Sequence, residues 1–131
     1  MKTFEIVIPV KSYEYSELSA QDKHLVDEAR RAYERSYAPY SHFNVGAAIL
    51  LDNGEVVTGA NQENAAYPSG TCAERSACYY AGAAYPGVPF RKIAIAARGT
   101  DGEETATPTA PCGACRQALL EYEKLAGQNV E

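Results

Sequence analysis

Thr71-Cys72-Ala73-Glu74-Arg75 and the downstream Pro111-Cys112-Gly113-Ala114-Cys115-Arg116-Gln117 decide the reading of this chain. Each stretch closes a polar loop and opens an apolar run of helical period. Together they place Cys72, Cys112 and Cys115 at two helix starts. A structural zinc site fills all four coordination positions with protein ligands, whereas a catalytic one leaves a position open for water. Three thiols beside Glu74, a carboxylate that need not bind the ion, are therefore the inventory of a hydrolytic centre holding one zinc per chain.

Working outward, the pattern predicts the order α, β, β, α, β, α. Ser19 followed by Asp22 reads as a helix start, and Leu25, Val26, Ala29, Ala32 and Tyr33 then recur at helical spacing. That helix is expected to reach about Tyr37, because Pro39 restricts Ala38 and cannot continue it. Val45 to Leu51 is an apolar strand, Asp52-Asn53-Gly54 a hairpin turn and Glu55 to Gly59 the returning strand. Asn61 to Gly70 is a polar loop containing Pro68. A helix is expected from Cys72 or Ala73 to about Ala84, a buried strand over Lys92 to Arg98, and a loop over Gly99 to Pro111. A last helix should run from Cys112 to about Leu125. Thr3 to Val10, β-branched and apolar, reads as a short leading strand or an extended arm, so residues 1–18 are expected to form an arm and residues 19–131 the zinc domain.

At 131 residues the chain has the length of one domain able to bury roughly two-thirds of its unfolded surface. The net charge is −5, from 12 basic and 17 acidic residues, and no basic run stands out. A groove that tracks a polyanion needs clustered Lys and Arg, so a nucleic-acid partner is not expected and a small neutral molecule fits better. Four cysteines without a signal peptide argue against a disulfide framework. The apolar Phe4 to Val10 stretch is interrupted by Glu5 and Pro9 and is far too short to span a bilayer. The expected protein is soluble and cytoplasmic, with thiols reduced or metal-bound.

Cys112 and Cys115, three apart at a helix start, can direct both sulfurs toward one ion beyond the helix end. Free N–H groups and the partial positive charge there favour thiolates. Three thiolates on a dication leave a formal −1, and Arg75 could donate hydrogen bonds to the sulfurs and offset it. A solvated helix arginine is the plainer reading of Arg75. Cys112-Gly113-Ala114-Cys115 alone also suits a thiol-disulfide motif, but that requires neither Cys72 nor Glu74. A closed structural site using Cys78 as fourth ligand is disfavoured by its spacing, and Cys78 reads as an inert core residue.

Four blocks resemble the cytidine deaminase family: Tyr37-Ala38-Pro39-Tyr40-Ser41-His42-Phe43-Asn44-Val45-Gly46-Ala47-Ala48, then Asn61-Gln62-Glu63-Asn64-Ala65-Ala66-Tyr67, then the two cysteine stretches. Their order and spacing are similar to the family's from about Tyr37 to Gln117. The resemblance implies a three-layer α/β/α sandwich with a mixed β-sheet and hydrolysis of cytidine and 2′-deoxycytidine to uridine and 2′-deoxyuridine, a salvage reaction. Glu74 would be the catalytic proton shuttle. The second block, with Gln62 between them, gives Asn61 and Glu63 the ribose 3′-hydroxyl. Phe43 would pack on the pyrimidine, and the Ala73 backbone would meet the base carbonyl. Without the resemblance, Phe43 reads as a core aromatic and the Asn61–Glu63 pair as a capped turn.

Small three-cysteine members of this family are typically homotetramers, so the resemblance implies that Ala65 and Tyr67 would reach into a neighbouring subunit's pocket. The family's sheet continues past the position of Glu131, so the chain is expected to lack C-terminal strands, with Asn129-Val130-Glu131 starting another. Rival expectations are a related aminohydrolase, such as a nucleoside-antibiotic deaminase, a catalytically idle zinc-binding form, and a thiol-disulfide protein.

Overall fold

The computed structural model describes residues Met1–Glu131. Six main elements follow the expected order: α1 (Ala20–Tyr33), β1 (Asn44–Leu51), β2 (Val56–Ala60), α2 (Ala73–Ala84), β3 (Phe90–Arg98) and α3 (Gly113–Ala126). Ser19 caps α1 by accepting from the Asp22 N–H at 3.1 Å, which satisfies one of the free donors of its first turn. Residues 1–14 have no regular secondary structure, so the leading strand considered for Thr3 to Val10 does not form; Phe4, Ile6, Val7, Ile8 and Val10 are exposed.

α1 stops at Tyr33, short of Tyr37. Glu34, Arg35 and Ser36 tighten into i→i+3 turns, and Tyr37 then leaves the helix path to donate its N–H to the Asn61 carbonyl at 2.9 Å. A long-range backbone partner ends the helix before Pro39 can.

β1 is the central strand of a sheet in the order β2-β1-β3. All three strands pair antiparallel, with Gly46 opposite both Ala60 and Ala96. The parallel pairing expected of a mixed sheet lies outside these three strands. The Asn53–Gly54 hairpin reverses β2 against β1, with Gly54 at φ 87°. α2 then carries the chain back, so β3 enters in the direction of β2 and again opposes β1. Parallel pairing is confined to the isolated Tyr37–Gln62 bridge and to Glu131, which donates to the Arg91 carbonyl and accepts from the Ile93 N–H. Those last two bonds are the parallel pattern about Lys92.

β1 is buried on both faces, which is why it reads as an uninterrupted apolar run. Ala47, Ile49 and Leu51 face Ala73, Ala77, Cys78 and Ala81 of α2, while Ala48 and Leu50 meet Leu25 and Ala29 of α1. α3 packs beside α2, where Tyr122 stacks on Phe90 with ring centroids 4.4 Å apart. This is the α/β/α sandwich. Its small residues bring helices close: a Cβ on Gly59 would lie 2.5 Å from both the Ala73 carbonyl oxygen and the Ala77 nitrogen. The first turn of α2 is thus seated directly on β2.

Candidate zinc-centred site

The chain reversals that stack α2 and α3 on one face of the sheet also bring their N-termini to the same end. Cys72 is the N-cap residue of α2 and Cys112 that of α3, both with extended backbone. Cys115 follows in the first turn of α3 and is fully buried. The Cys72 and Cys112 sulfurs are 3.8 Å apart and those of Cys112 and Cys115 3.3 Å, and all three lie within 4.8 Å of one another. A tetrahedral zinc with sulfurs at about 2.3 Å separates its ligands by about 3.8 Å. The three thiols fit that ion.

Their electrostatics fit it as well. The Cys115 backbone N–H, followed by the Cys115 thiol, holds the Cys112 thiol below its ordinary range. Burial, then the Cys112 thiol and the charge of Glu74, push Cys115 well above it. A buried thiol beside a carboxylate ionises when a cation arrives to offset the charge. Arg75 brings Nη2 to 3.8 Å from the Cys72 sulfur, and its guanidinium is held further protonated by Cys72 and then Cys115. Its Nε is buried without a hydrogen-bond partner. Cys78 stands apart: it is buried against the core, and burial followed by the Glu74 charge pushes its thiol up to about 12. It joins no ligand group.

Glu74, in the first turn of α2, is the buried charged residue of the chain, at 5% exposure. A cleft of about 130 Å³ opens beside Cys72, walled by Asn61, Gln62, Glu63, Tyr67, Thr71 and Arg75 among others. Phe43 is half-buried and Ala73 fully buried, and neither forms a wall of that cleft. Ala65 and Tyr67 are exposed on the loop before α2, Tyr67 at 87%.

Asn61 and Glu63 are held by the segment leading into β1. The Asn61 carboxamide accepts from the Val45 N–H at 2.8 Å and donates to the Phe43 carbonyl at 2.9 Å. An amide has two lone pairs and two N–H groups, so one acceptor and one donor remain for a ligand. The Glu63 carboxylate accepts from the Tyr40 N–H at 2.9 Å, the Ser41 N–H at 3.2 Å and the Ser41 hydroxyl. Gln62 donates from its side chain to the Arg35 carbonyl, and its backbone pairs with Thr71. Sequence reasoning assigned nothing to Ser41 individually. Its position two residues before Phe43, after Pro39-Tyr40, marks a turn and does not reveal what the turn grips.

Two helix N-termini converging on three thiols, with a buried carboxylate in one first turn, define the class of zinc-dependent deaminases. Residues 19–126 match the family described as the cytidine and deoxycytidylate deaminase zinc-binding region, and the chain belongs to that family. It is 42% identical over 99 residues to a cytidine deaminase of Sporosarcina psychrophila, spanning 75% of this chain and 67% of that protein. It is 45% identical over 97 residues to one of Halalkalibacterium halodurans, covering 74% and 68%. The crystal structure of a cytidine deaminase from Burkholderia pseudomallei superposes with a TM-score of 0.67 at 43% identity, over 79% of this chain and 76% of that one. No helix of the chain is long and apolar enough to cross a membrane.

Proposed function

We propose that the chain hydrolyses the 4-amino group of cytidine and 2′-deoxycytidine, consuming water and releasing uridine or 2′-deoxyuridine and ammonia. The observation that carries this reading is the placement of Glu74, a buried carboxylate in the turn that also supplies Cys72. Cys72, Cys112 and Cys115 would hold the zinc, which would make a water acidic enough to give up a proton near neutral pH. Glu74 takes that proton, delivers it to ring nitrogen N3, and later passes one to the departing amine. One carboxylate serves both transfers because N3 and the 4-amino group are adjacent on the ring. Arg75 offsets the surplus negative charge of three thiolates.

Asn61 and Glu63 read the sugar, Phe43 packs on the pyrimidine, and the Ala73 backbone meets the base carbonyl. The cleft of about 130 Å³ in one chain is smaller than the roughly 300–1,000 Å³ usual for small-molecule sites. The reading includes a homotetramer in which Ala65 and Tyr67, both exposed here, complete the pocket of a neighbouring copy. The four free cysteines suit a reducing cytoplasm, and the reaction suits pyrimidine salvage.

The test is loss of cytidine absorbance with stoichiometric ammonia release by protein carrying one zinc per chain. Zinc-loaded, folded protein that leaves cytidine unchanged would overturn the reading.

A further inference from the structure

The two side chains assigned to the sugar and the one assigned to the base belong to a single hydrogen-bonded unit, and Ser41 stands at its centre. Its hydroxyl donates to Glu63 Oε1 and accepts from the Phe43 N–H at 3.1 Å. Its backbone N–H and that of Tyr40 donate to Glu63 Oε2. Further along the same two segments, the Glu63 N–H donates to the Tyr37 carbonyl at 2.8 Å, and the Asn61 carboxamide spans Phe43 and Val45. Between Ser41 and Phe43, His42 adopts φ 54°, a left-handed conformation, with its N–H bonded to the Ala38 carbonyl at 3.0 Å. Side chains other than glycine enter that region when the surrounding contacts require it.

We propose that Ser41 is a positioning and specificity-determining residue, which fixes the Glu63 carboxylate for the ribose hydroxyl and couples it to the placement of Phe43 against the base. This rests on the nucleoside-deaminase reading above. A serine hydroxyl has one donor and two acceptor sites, so it can hold both groups at once. An ionised carboxylate has about four acceptor sites. Three are taken by Tyr40 and Ser41, which leaves one for a sugar hydroxyl. The three donors also keep Glu63 ionised, with the Ser41 hydroxyl the largest influence holding its pKa below the ordinary carboxylate range. Removing the hydroxyl frees Glu63 to rotate and unties the Phe43 backbone, while Cys72, Cys112, Cys115 and Glu74 lie on other elements.

The experiment compares zinc-loaded wild type, Ser41→Ala and Ser41→Thr on cytidine, 2′-deoxycytidine and 3′-deoxycytidine, with uridine binding measured by calorimetry. Ser41→Ala should raise KM for cytidine about tenfold, the size of one charge-assisted hydrogen bond, with kcat within about threefold of wild type. Its preference for cytidine over 3′-deoxycytidine should fall by a similar factor, and uridine should bind correspondingly more weakly. Ser41→Thr, which keeps the hydroxyl, should restore both. Active wild type with an unchanged KM and sugar preference in Ser41→Ala overturns the role of Ser41 and leaves the deaminase reading intact. A fall in kcat alone overturns it equally. Wild type that carries zinc and does not turn over any of the nucleosides overturns the deaminase reading itself. Equal uridine affinity in wild type and Ser41→Ala would then overturn the proposal for Ser41 as well.

Discussion

The sulfurs of Cys72 and Cys112 lie 3.8 Å apart although forty positions separate them in the chain. Neither cysteine is near the other through local geometry. α2 leads away from Cys72, β3 returns through the sheet, and α3 begins where α2 began. The thiol cluster is a product of that return path, and its sensitivity to mutation follows the same logic.

Cys115→Ala should reduce bound zinc from one per chain toward none, since it removes one of only three thiol ligands. Cys78→Ala should keep the metal, at a stability cost of about 1 kcal/mol for a small buried cavity. In zinc-stripped protein at pH 8, Cys78 should resist alkylation while Cys112 reacts first. The Cys78 thiol, pushed up to about 12, stays protonated there, whereas Cys112 is held below its ordinary range. Metal analysis and mass mapping of the alkylated sites check both outcomes.

Glu74→Gln should retain zinc and nucleoside binding and lose turnover by about 10²–10⁴-fold, because the amide keeps the shape and cannot carry a proton. A loss of only a few-fold would assign the proton transfer to another group. Single-turnover measurement of uridine formation separates the two outcomes.

Gly59→Ala tests whether the seat of α2 on β2 sets the zinc geometry. The new methyl would lie 2.5 Å from two backbone atoms of α2, at Ala73 and Ala77, and backbone cannot swing aside as a side chain tip can. The helix must shift, carrying Cys72 and Glu74 with it. The expected result is a destabilisation of about 2–3 kcal/mol together with weakened zinc binding, measured by chemical denaturation and metal competition. Unchanged stability and metal affinity would mean that the strand yields instead.

Lys92 joins Asp22 at 2.8 Å across the α1 face, with side chains 21% and 31% exposed. Its hydrogen bond to Asp22, then that to Glu131, raises Lys92, and the same pair is the first cause that lowers Asp22. A lowered carboxylate contributes stability above its unfolded pKa and loses it as pH falls through the folded one. A raised lysine contributes below its unfolded pKa and loses it as pH rises through the folded one. The pair therefore acts fully across the neutral range. Lys92→Met should lower the melting midpoint by about 2–4 °C at pH 7. The difference should shrink as pH falls below the ordinary carboxylate range, where Asp22 protonates. A difference that does not vary with pH would point to lost packing of the lysine stem instead.

Local chemistry made much of the fold legible from the residues in order. Ser19 caps α1 because its hydroxyl reaches Asp22 three residues on, and Gly54 permits the hairpin because it can take φ 87°. The starts of α2 and α3 at Cys72 and Cys112 follow from loops giving way to helical apolar spacing. The candidate thiols were legible because donor type and number suggest a zinc site before any geometry is known, and the structure brings the three sulfurs together. What the tertiary structure alone decided depends on contacts between distant segments. α1 ends at Tyr33 because the chain beyond it is drawn toward Asn61. The sheet is antiparallel because α2 spans its full length before β3 begins. Glu63 is gripped by Tyr40 and Ser41, 23 and 22 positions away. No local pattern encodes such a partner, since a carboxylate accepts any donor and only the packed sheet determines which N–H groups arrive within reach.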